Sequence, residues 1–163
     1  MNEELKIELN RFMGRAAKAT YASGGGKVEP WRKGFNELEY REGDWYYRDS
    51  YTGFLRSWGQ EVIWYKDKPI WTCSYGGGMS ADRMDAAFAL ETFTFLKKVF
   101  MAGDKENTFQ PRGPKDFQEG EWKYHCELKG DITKFNGNEF ISQNDETVFT
   151  HEFVGGLVIN QED

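Results

Sequence analysis

The sequence predicts an α+β fold in which a curved antiparallel sheet packs on helices, with a cystatin-like or helix-grip-like arrangement as the nearest architecture. Helical periodicity occurs in two separate segments, and each is followed by a long loop and a run of strands separated by turn residues. No strand–helix–strand alternation is visible, which argues against a parallel sheet. A length of 163 residues is typical of one domain, which we predict to span 1–163.

The second half of the chain repeats the first. Residues 40–79 align with 117–157 when one extra residue is allowed near Asn136. Glycines and aromatic residues recur at one offset, as in Gly43/Gly120, Trp45/Trp122, Tyr47/Tyr124, Gly53/Gly130 and Gly77/Gly155. We therefore predict an internal duplication, with repeat 1 over about 2–79 and repeat 2 over about 80–159, and expect the two segments to superpose with one strand order.

Each repeat is predicted to begin with a helix. In the first, Leu5, Leu9 and Phe12 lie on one helical face, and Asn2 is suited to cap the amino end. In the second, the periodicity covers 82–102, with a start at Ser80 or Asp82 and an end at Gly103.

The strands that follow are separated by predicted two-residue turns. Four dipeptides have suitable turn chemistry: Thr52-Gly53, Lys66-Asp67, Lys129-Gly130 and Asn144-Asp145. Gly59, and the extra residue near Asn136, predict a bulge that bends the middle strand.

The charge balance argues against nucleic-acid binding. Lys and Arg total 21 against 27 Asp and Glu, which gives a net charge of −6. Little counterion release is available to drive binding to a phosphate backbone. We predict no tight binding to duplex DNA, and a filter-binding assay that gave sub-micromolar affinity for random duplex at physiological salt would contradict this.

The residues predict a cytoplasmic protein without a metal or cofactor. There are two cysteines, and no apolar leader or membrane-length apolar run is present. Cys73, Cys126, His125 and His151 lack metal-ligand spacing, so we expect buried cysteines and a hydrogen-bonded core histidine. The Gly-rich segment 23–27 follows a helix, which favours a loop over a phosphate-binding site.

Two stretches carry a family resemblance. YRDSYTGFLRSWGQEVIWYKDKPIWTCSYGGGM and PRGPKDFQEGEWKY resemble a bacterial family of domains of unknown function, some of whose members are encoded as or beside helix-turn-helix regulators of the phage-repressor type. The resemblance implies a small cytoplasmic domain with no assigned activity. The chain has no recognisable helix-turn-helix segment, and the family implies no catalytic or binding residues.

A candidate site emerges where the two repeats differ. Tyr47, Asp49 and Tyr51 alternate onto one strand face, where repeat 2 has Cys126 in place of the aspartate. A turn at Thr52-Gly53 would pair Asp49 with Arg56. The candidate ligand-binding residues are Asp49, Arg56, Tyr47, Tyr51, Trp58, Ser50 and Gln60.

Two interpretations of the Asp49–Arg56 pair remain open. It is either a satisfied ion pair at a sheet edge or interface, or the polar part of an aromatic-walled pocket. Glu61 and Glu139 recur in both repeats, so we assign them a structural role in holding a hydroxyl or backbone N–H at the bend.

The function predicted is a non-catalytic module that binds a small molecule or a protein, with homo-oligomerisation left open. The alternative is a small-substrate enzyme with Asp49 as acid or base and Arg56 as anion clamp.

Overall fold

A computed structural model describes residues 1–160, and the last three residues of the predicted domain, 161–163, lie outside the described part. Two α-helices pack on one antiparallel sheet that does not close, so the α+β prediction is confirmed. The helices are α1 (Glu3–Ala17), which continues into a π-helical turn (Lys18–Ala22), and α2 (Ala86–Ala102). The strands are β1 (Lys27–Val28), β2 (Asn36–Glu42), β3 (Trp45–Gly53), β4 (Arg56–Tyr65), β5 (Lys68–Met79), β6 (Asp116–Glu119), β7 (Trp122–Asp131), β8 (Lys134–Gln143) and β9 (Glu146–Leu157).

The sheet has the strand order β1-β2-β3-β4-β5-β9-β8-β7-β6. The five strands from β1 to β5 run inward from one edge, and the four from β6 to β9 run inward from the other. The last strands of the two series, β5 and β9, pair at the centre. The duplication itself stays a prediction, which superposition of 40–79 on 117–157 would test.

Side-chain caps fix where both helices begin. The Asn2 side chain accepts a hydrogen bond from the backbone N–H of Leu5, as the sequence predicted. In α2 the cap is Asp85, whose side chain accepts from the N–H of Phe88. The helix therefore starts at Ala86, later than the predicted 82, and it ends before Gly103 as predicted.

Two of the predicted turns are confirmed. Lys66 and Asp67 have φ values of 50° and 63°, and Asn144 and Asp145 have 50° and 64°. Positive φ at both central residues is the geometry of a type I′ turn, which matches the twist of the flanking strands.

The predicted turn at Thr52-Gly53 is wrong, and so is the one at Lys129-Gly130. Both glycines lie within paired strand segments, since Gly53 pairs with Ser57 and Gly130 with Phe135. Gly53 has a φ of 97°, and a Cβ there would lie 2.0 Å from the carbonyl oxygen of Arg56. The missing side chain of Gly53 thus allows the backbones of β3 and β4 to approach closely just before the turn, and Gly53 does not form the turn itself.

The register changes accordingly. Asp49 lies opposite Glu61, and Cys126 lies opposite Glu139. The bulge predicted at Gly59 is also wrong, because Gly59 pairs regularly with Tyr75 and the register shifts between Ile63 and Trp64.

The core lies between the helices and one face of the sheet. Buried side chains from both helices, such as Phe12 and Val99, share it with central sheet residues that include Ile63, Trp71 and Phe149. Over the described residues, neither helix has the length and apolarity that crossing a membrane requires.

Candidate functional site

A cavity of about 270 Å³ lies between the helix-covered face of the sheet and α2. Strands β3, β4, β5 and β9 form its floor, and the π-helical turn, α2 and the loop at 103–115 form its walls. Aromatic rings supply much of the lining, including those of Tyr21, Tyr47, Tyr51, Tyr75, Phe93 and Phe100. Its volume corresponds to that of about nine liquid waters, which is room for a small organic molecule.

Asp49 is the carboxyl group on the cavity floor. Its residue is 3% exposed, and Oδ1 accepts a hydrogen bond of 2.8 Å from the Tyr75 hydroxyl. Burial, together with the charge of the facing Glu61, raises the pKa of Asp49 to about 8. The carboxyl group therefore carries a proton at neutral pH.

Arg112 reaches from the loop at 103–115 to two glutamates of the sheet, Glu61 on β4 and Glu139 on β8. Its Nε and Nη2 donate to Glu139 Oε1 at 2.9 and 2.8 Å, and its Nη1 donates to Glu61 Oε1 at 3.3 Å. The guanidinium also lies over the ring of Tyr75, 4.5 Å from its centre. Arg112 is thus fully engaged with protein groups.

Glu139 is a completely buried carboxylate with several donors around it. It accepts from the Tyr124 hydroxyl at 2.8 Å, and the Nδ1 of His151 lies 3.1 Å away. Burial acts to raise the pKa of Glu139, but the Arg112 charge and the hydrogen bond from His151 outweigh it and lower the pKa to about 2. Burial also lowers the pKa of His151, so its ring stays neutral.

Lys105 faces the cavity from the loop after α2. Its residue is 4% exposed, and its ammonium lies 4.8 Å from the centre of the Phe100 ring. Among residues 1–160 the ammonium has no hydrogen-bonding acceptor. Burial is the main cause that lowers its pKa to about 8.

Within the described part of the chain, no three His, Cys, Asp or Glu side chains are placed to share a metal. The cavity combines aromatic surface with charged or titratable side chains, which are those of Asp49, Glu61, Lys97, Lys105, Arg112 and His151.

The family model for the domain of unknown function DUF5680 matches residues 49–158. The chain belongs to this family. Searches of curated proteins and of solved structures found no match. The DUF5680 span begins at Asp49 and includes Glu61, Tyr75, Arg112 and Glu139, so all of the cavity floor except Tyr47 lies within it.

Three of the residues predicted for a site line the DUF5680 cavity: Tyr47, Asp49 and Tyr51. Arg56 does not join them. It pairs with Gly78 and is exposed, so the predicted Asp49–Arg56 pair does not form. The hairpin turns later in the sequence than predicted, so the residue opposite Asp49 is Glu61, five positions after Arg56. Because this shift is an odd number of residues, the Arg56 side chain lies on the opposite face of the sheet.

The other predicted residues lie on that opposite face of the sheet. Trp58 is 61% exposed and covers Gly76. Ser50 donates to Glu37, and Gln60 donates to the Thr72 hydroxyl. None of the three lines the cavity.

The sequence interpretation missed Arg112, Lys105 and Tyr75. It expected Glu61 and Glu139 to hold a hydroxyl or a backbone N–H, and Glu139 does accept a hydrogen bond from the Tyr124 hydroxyl. Both glutamates also pair with Arg112, which the sequence did not indicate. The available signal was that Glu61 and Glu139 occupy matching positions in the two aligned segments. A carboxylate placed twice on an otherwise apolar face needs a buried cation.

The prediction of buried cysteines and a hydrogen-bonded core histidine is confirmed. Cys73 and Cys126 are buried and free, and His151 is buried and hydrogen-bonded to Glu139.

Proposed function

We propose that this domain binds a small molecule in the cavity between α2 and the sheet. The observation that carries the proposal is an enclosed cavity of about 270 Å³ whose aromatic walls surround two ionisable residues, Asp49 and Lys105, that are 3% and 4% exposed. Small-molecule sites are typically concave and mostly apolar, with a few polar groups that fix the ligand.

The enclosed shape favours a small molecule over a protein partner. Protein partners are usually recognised on surface patches of about 800 Å² per side. The polar groups here lie behind aromatic walls, where a small ligand can reach them and a protein surface cannot.

A second candidate is an enzyme that uses Asp49 as general acid or base. Its pKa of about 8 lies close to neutral pH, where proton transfer in both directions is efficient. The anion clamp of this alternative cannot be Arg56, which lies on the other face. The cations that line the same cavity are Lys97, Lys105 and Arg112, and of these Arg112 is already paired with Glu61 and Glu139.

Cytoplasmic placement and the absence of direct DNA binding remain part of the proposal. Two free, buried cysteines and a net charge of −6 support them. The resemblance to bacterial domains that accompany helix-turn-helix regulators fits a sensor that passes ligand binding to another domain.

Blocking the cavity mouth tests the proposal. Thr94 lines the cavity and is exposed, whereas Glu91 on the same helix is exposed and does not line it. We expect 2-phenylethanol to bind the wild type with a Kd of about 1 mM or tighter. Thr94→Trp should weaken binding at least tenfold, and Glu91→Trp should leave it unchanged, as measured by ligand-observed NMR. Equal binding to both variants would contradict a ligand site in the cavity.

A further inference from the structure

A row of four residues crosses the sheet at the cavity floor. Ser57 on β4 lies opposite Gly77 on β5, which in turn lies opposite His151 on β9. On its other side, His151 lies opposite Glu139 on β8. Residues directly opposite each other in neighbouring strands point to the same face of a sheet. The row therefore aligns a hydroxyl, an imidazole and a carboxylate on one face, and Ser57 and His151 line the cavity.

Gly77 allows the hydroxyl and the imidazole to meet across the strand between them. Neighbouring strands are about 4.8 Å apart, so the backbones of Ser57 and His151 are separated by about 10 Å. A Cβ at position 77 would lie 3.1 Å from Cδ2 of His151, so a side chain there would crowd the ring. With glycine in this place, the Ser57 hydroxyl lies 3.4 Å from Nε2 of His151.

The neighbours of His151 determine which ring nitrogen carries the proton. Nδ1 lies 3.1 Å from Oε1 of Glu139, and an ionised carboxylate can only accept hydrogen bonds. Nη2 of Arg112 lies 3.4 Å from the same nitrogen, but its shorter hydrogen bond, of 2.8 Å, goes to Glu139. The proton of the neutral ring therefore lies on Nδ1, which leaves Nε2 as the acceptor that faces Ser57.

A hydroxyl, a ring nitrogen that can take its proton and a carboxylate that orients the ring are the parts of an activated nucleophile. We infer that Ser57 is a nucleophile activated by His151 and that it cleaves small carboxylic esters with an apolar body. Glu139 is a positioning residue, because it acts only through Nδ1 of His151. This inference goes beyond the proposed function, because it adds covalent chemistry to the binding cavity. The rings of Phe93 and Phe100 line the same cavity and receive the apolar body.

The ester is cleaved in two steps. Oγ of Ser57 bonds to the acyl carbon while its proton passes to Nε2 of His151, and the alcohol then leaves with that proton. Water attacks the acyl-serine in the same way, which releases the carboxylic acid and restores the serine. Each step passes through an oxyanion, and the cations Lys97 and Lys105 line the cavity in which that charge develops.

Phenylmethanesulfonyl fluoride tests the nucleophile, because the serine oxygen bonds to its sulfur and fluoride leaves. Mass spectrometry of the protein and its peptides should show a single phenylmethanesulfonyl group, on Ser57. Ser57→Ala should lose the label. Ser74→Ala should keep it, since Ser74 is exposed and does not line the cavity. An unlabelled wild type, or a label on another residue, would overturn the inference, whereas binding of 2-phenylethanol would still support the proposed function.

His151→Asn tests the base. Asparagine keeps a donor for Glu139 but has no counterpart of Nε2. Labelling of Ser57 and hydrolysis of 4-nitrophenyl acetate should slow by about 100-fold or more, whereas binding of 2-phenylethanol should not change. Labelling as fast as in the wild type would contradict the role of His151.

The tautomer of His151 tests the role of Glu139 without any substitution. In ¹⁵N NMR of the wild type at pH 7, Nδ1 should have the shift of a protonated nitrogen and Nε2 that of an unprotonated one. The opposite tautomer would overturn the inference, because Nε2 would then donate a hydrogen bond to Ser57 and could not take its proton.

Discussion

Replacing Arg112 with methionine is expected to destabilise the protein by about 3–5 kcal/mol, because it leaves buried carboxylates without their cation. The affected groups are Glu139, which is fully buried, and Glu61. Urea unfolding at pH 7 measures the change, with midpoints compared at equal m-value. Arg56→Met is the matched control, since Arg56 is exposed and should change stability by no more than about 0.5 kcal/mol.

The Arg112–Glu139 pair also makes the free energy of unfolding depend on pH in the acid range. The pKa of Glu139 is about 2 in the folded protein and about 4.3 in an unfolded chain. The stabilisation is therefore complete above about pH 4.3 and is lost as the pH falls towards 2. Arg112→Met should lose this acid sensitivity. A variant as stable as the control would show that Glu139 does not depend on Arg112.

Replacing Asp49 with asparagine is expected to stabilise the protein by about 4 kcal/mol at pH 7. The folded protein keeps the Asp49 proton up to about pH 8, whereas the unfolded chain loses it near pH 3.9. The free energy of unfolding of the wild type should thus fall by up to about 1.4 kcal/mol per pH unit between these values. Asparagine has no proton to lose, so the variant should lack this slope.

Asp44→Asn serves as the control for this substitution. Asp44 is exposed at the turn between β2 and β3, and its replacement should leave both stability and its pH dependence unchanged within about 0.5 kcal/mol. A destabilised Asp49→Asn would mean that the ionised carboxylate supports the fold, which contradicts the account of Asp49 as a binding group.

Local signals predicted the elements but not the register. The Asn2 cap and the Lys66-Asp67 turn depend on neighbouring residues, and the sequence located both. A glycine such as Gly53, which has a positive φ, can be the second residue of a turn or the residue that precedes the turn. The sequence does not distinguish these two positions. Because of that ambiguity the sequence paired Asp49 with Arg56, whereas the structure pairs it with Glu61. The predicted site therefore included residues that lie on the other face of the sheet.

The groups that complete the site are distant in sequence. Arg112 lies 51 residues from Glu61 and 27 from Glu139. Lys105 and Arg112 belong to a loop with no periodicity, and only the packing of that loop over the sheet brings them to the cavity. The difference between Asp49 and Cys126 was the one sequence feature that located the site, because it marked a charge that the shared fold does not need.

The proton on Asp49 can be observed directly by titrating the side-chain carboxyl carbon with ¹³C NMR. In the ligand-free protein the Asp49 signal should stay at the shift of a protonated acid through pH 6 and titrate near pH 8. An Asp49 signal that is already ionised at pH 6 without ligand would contradict the account.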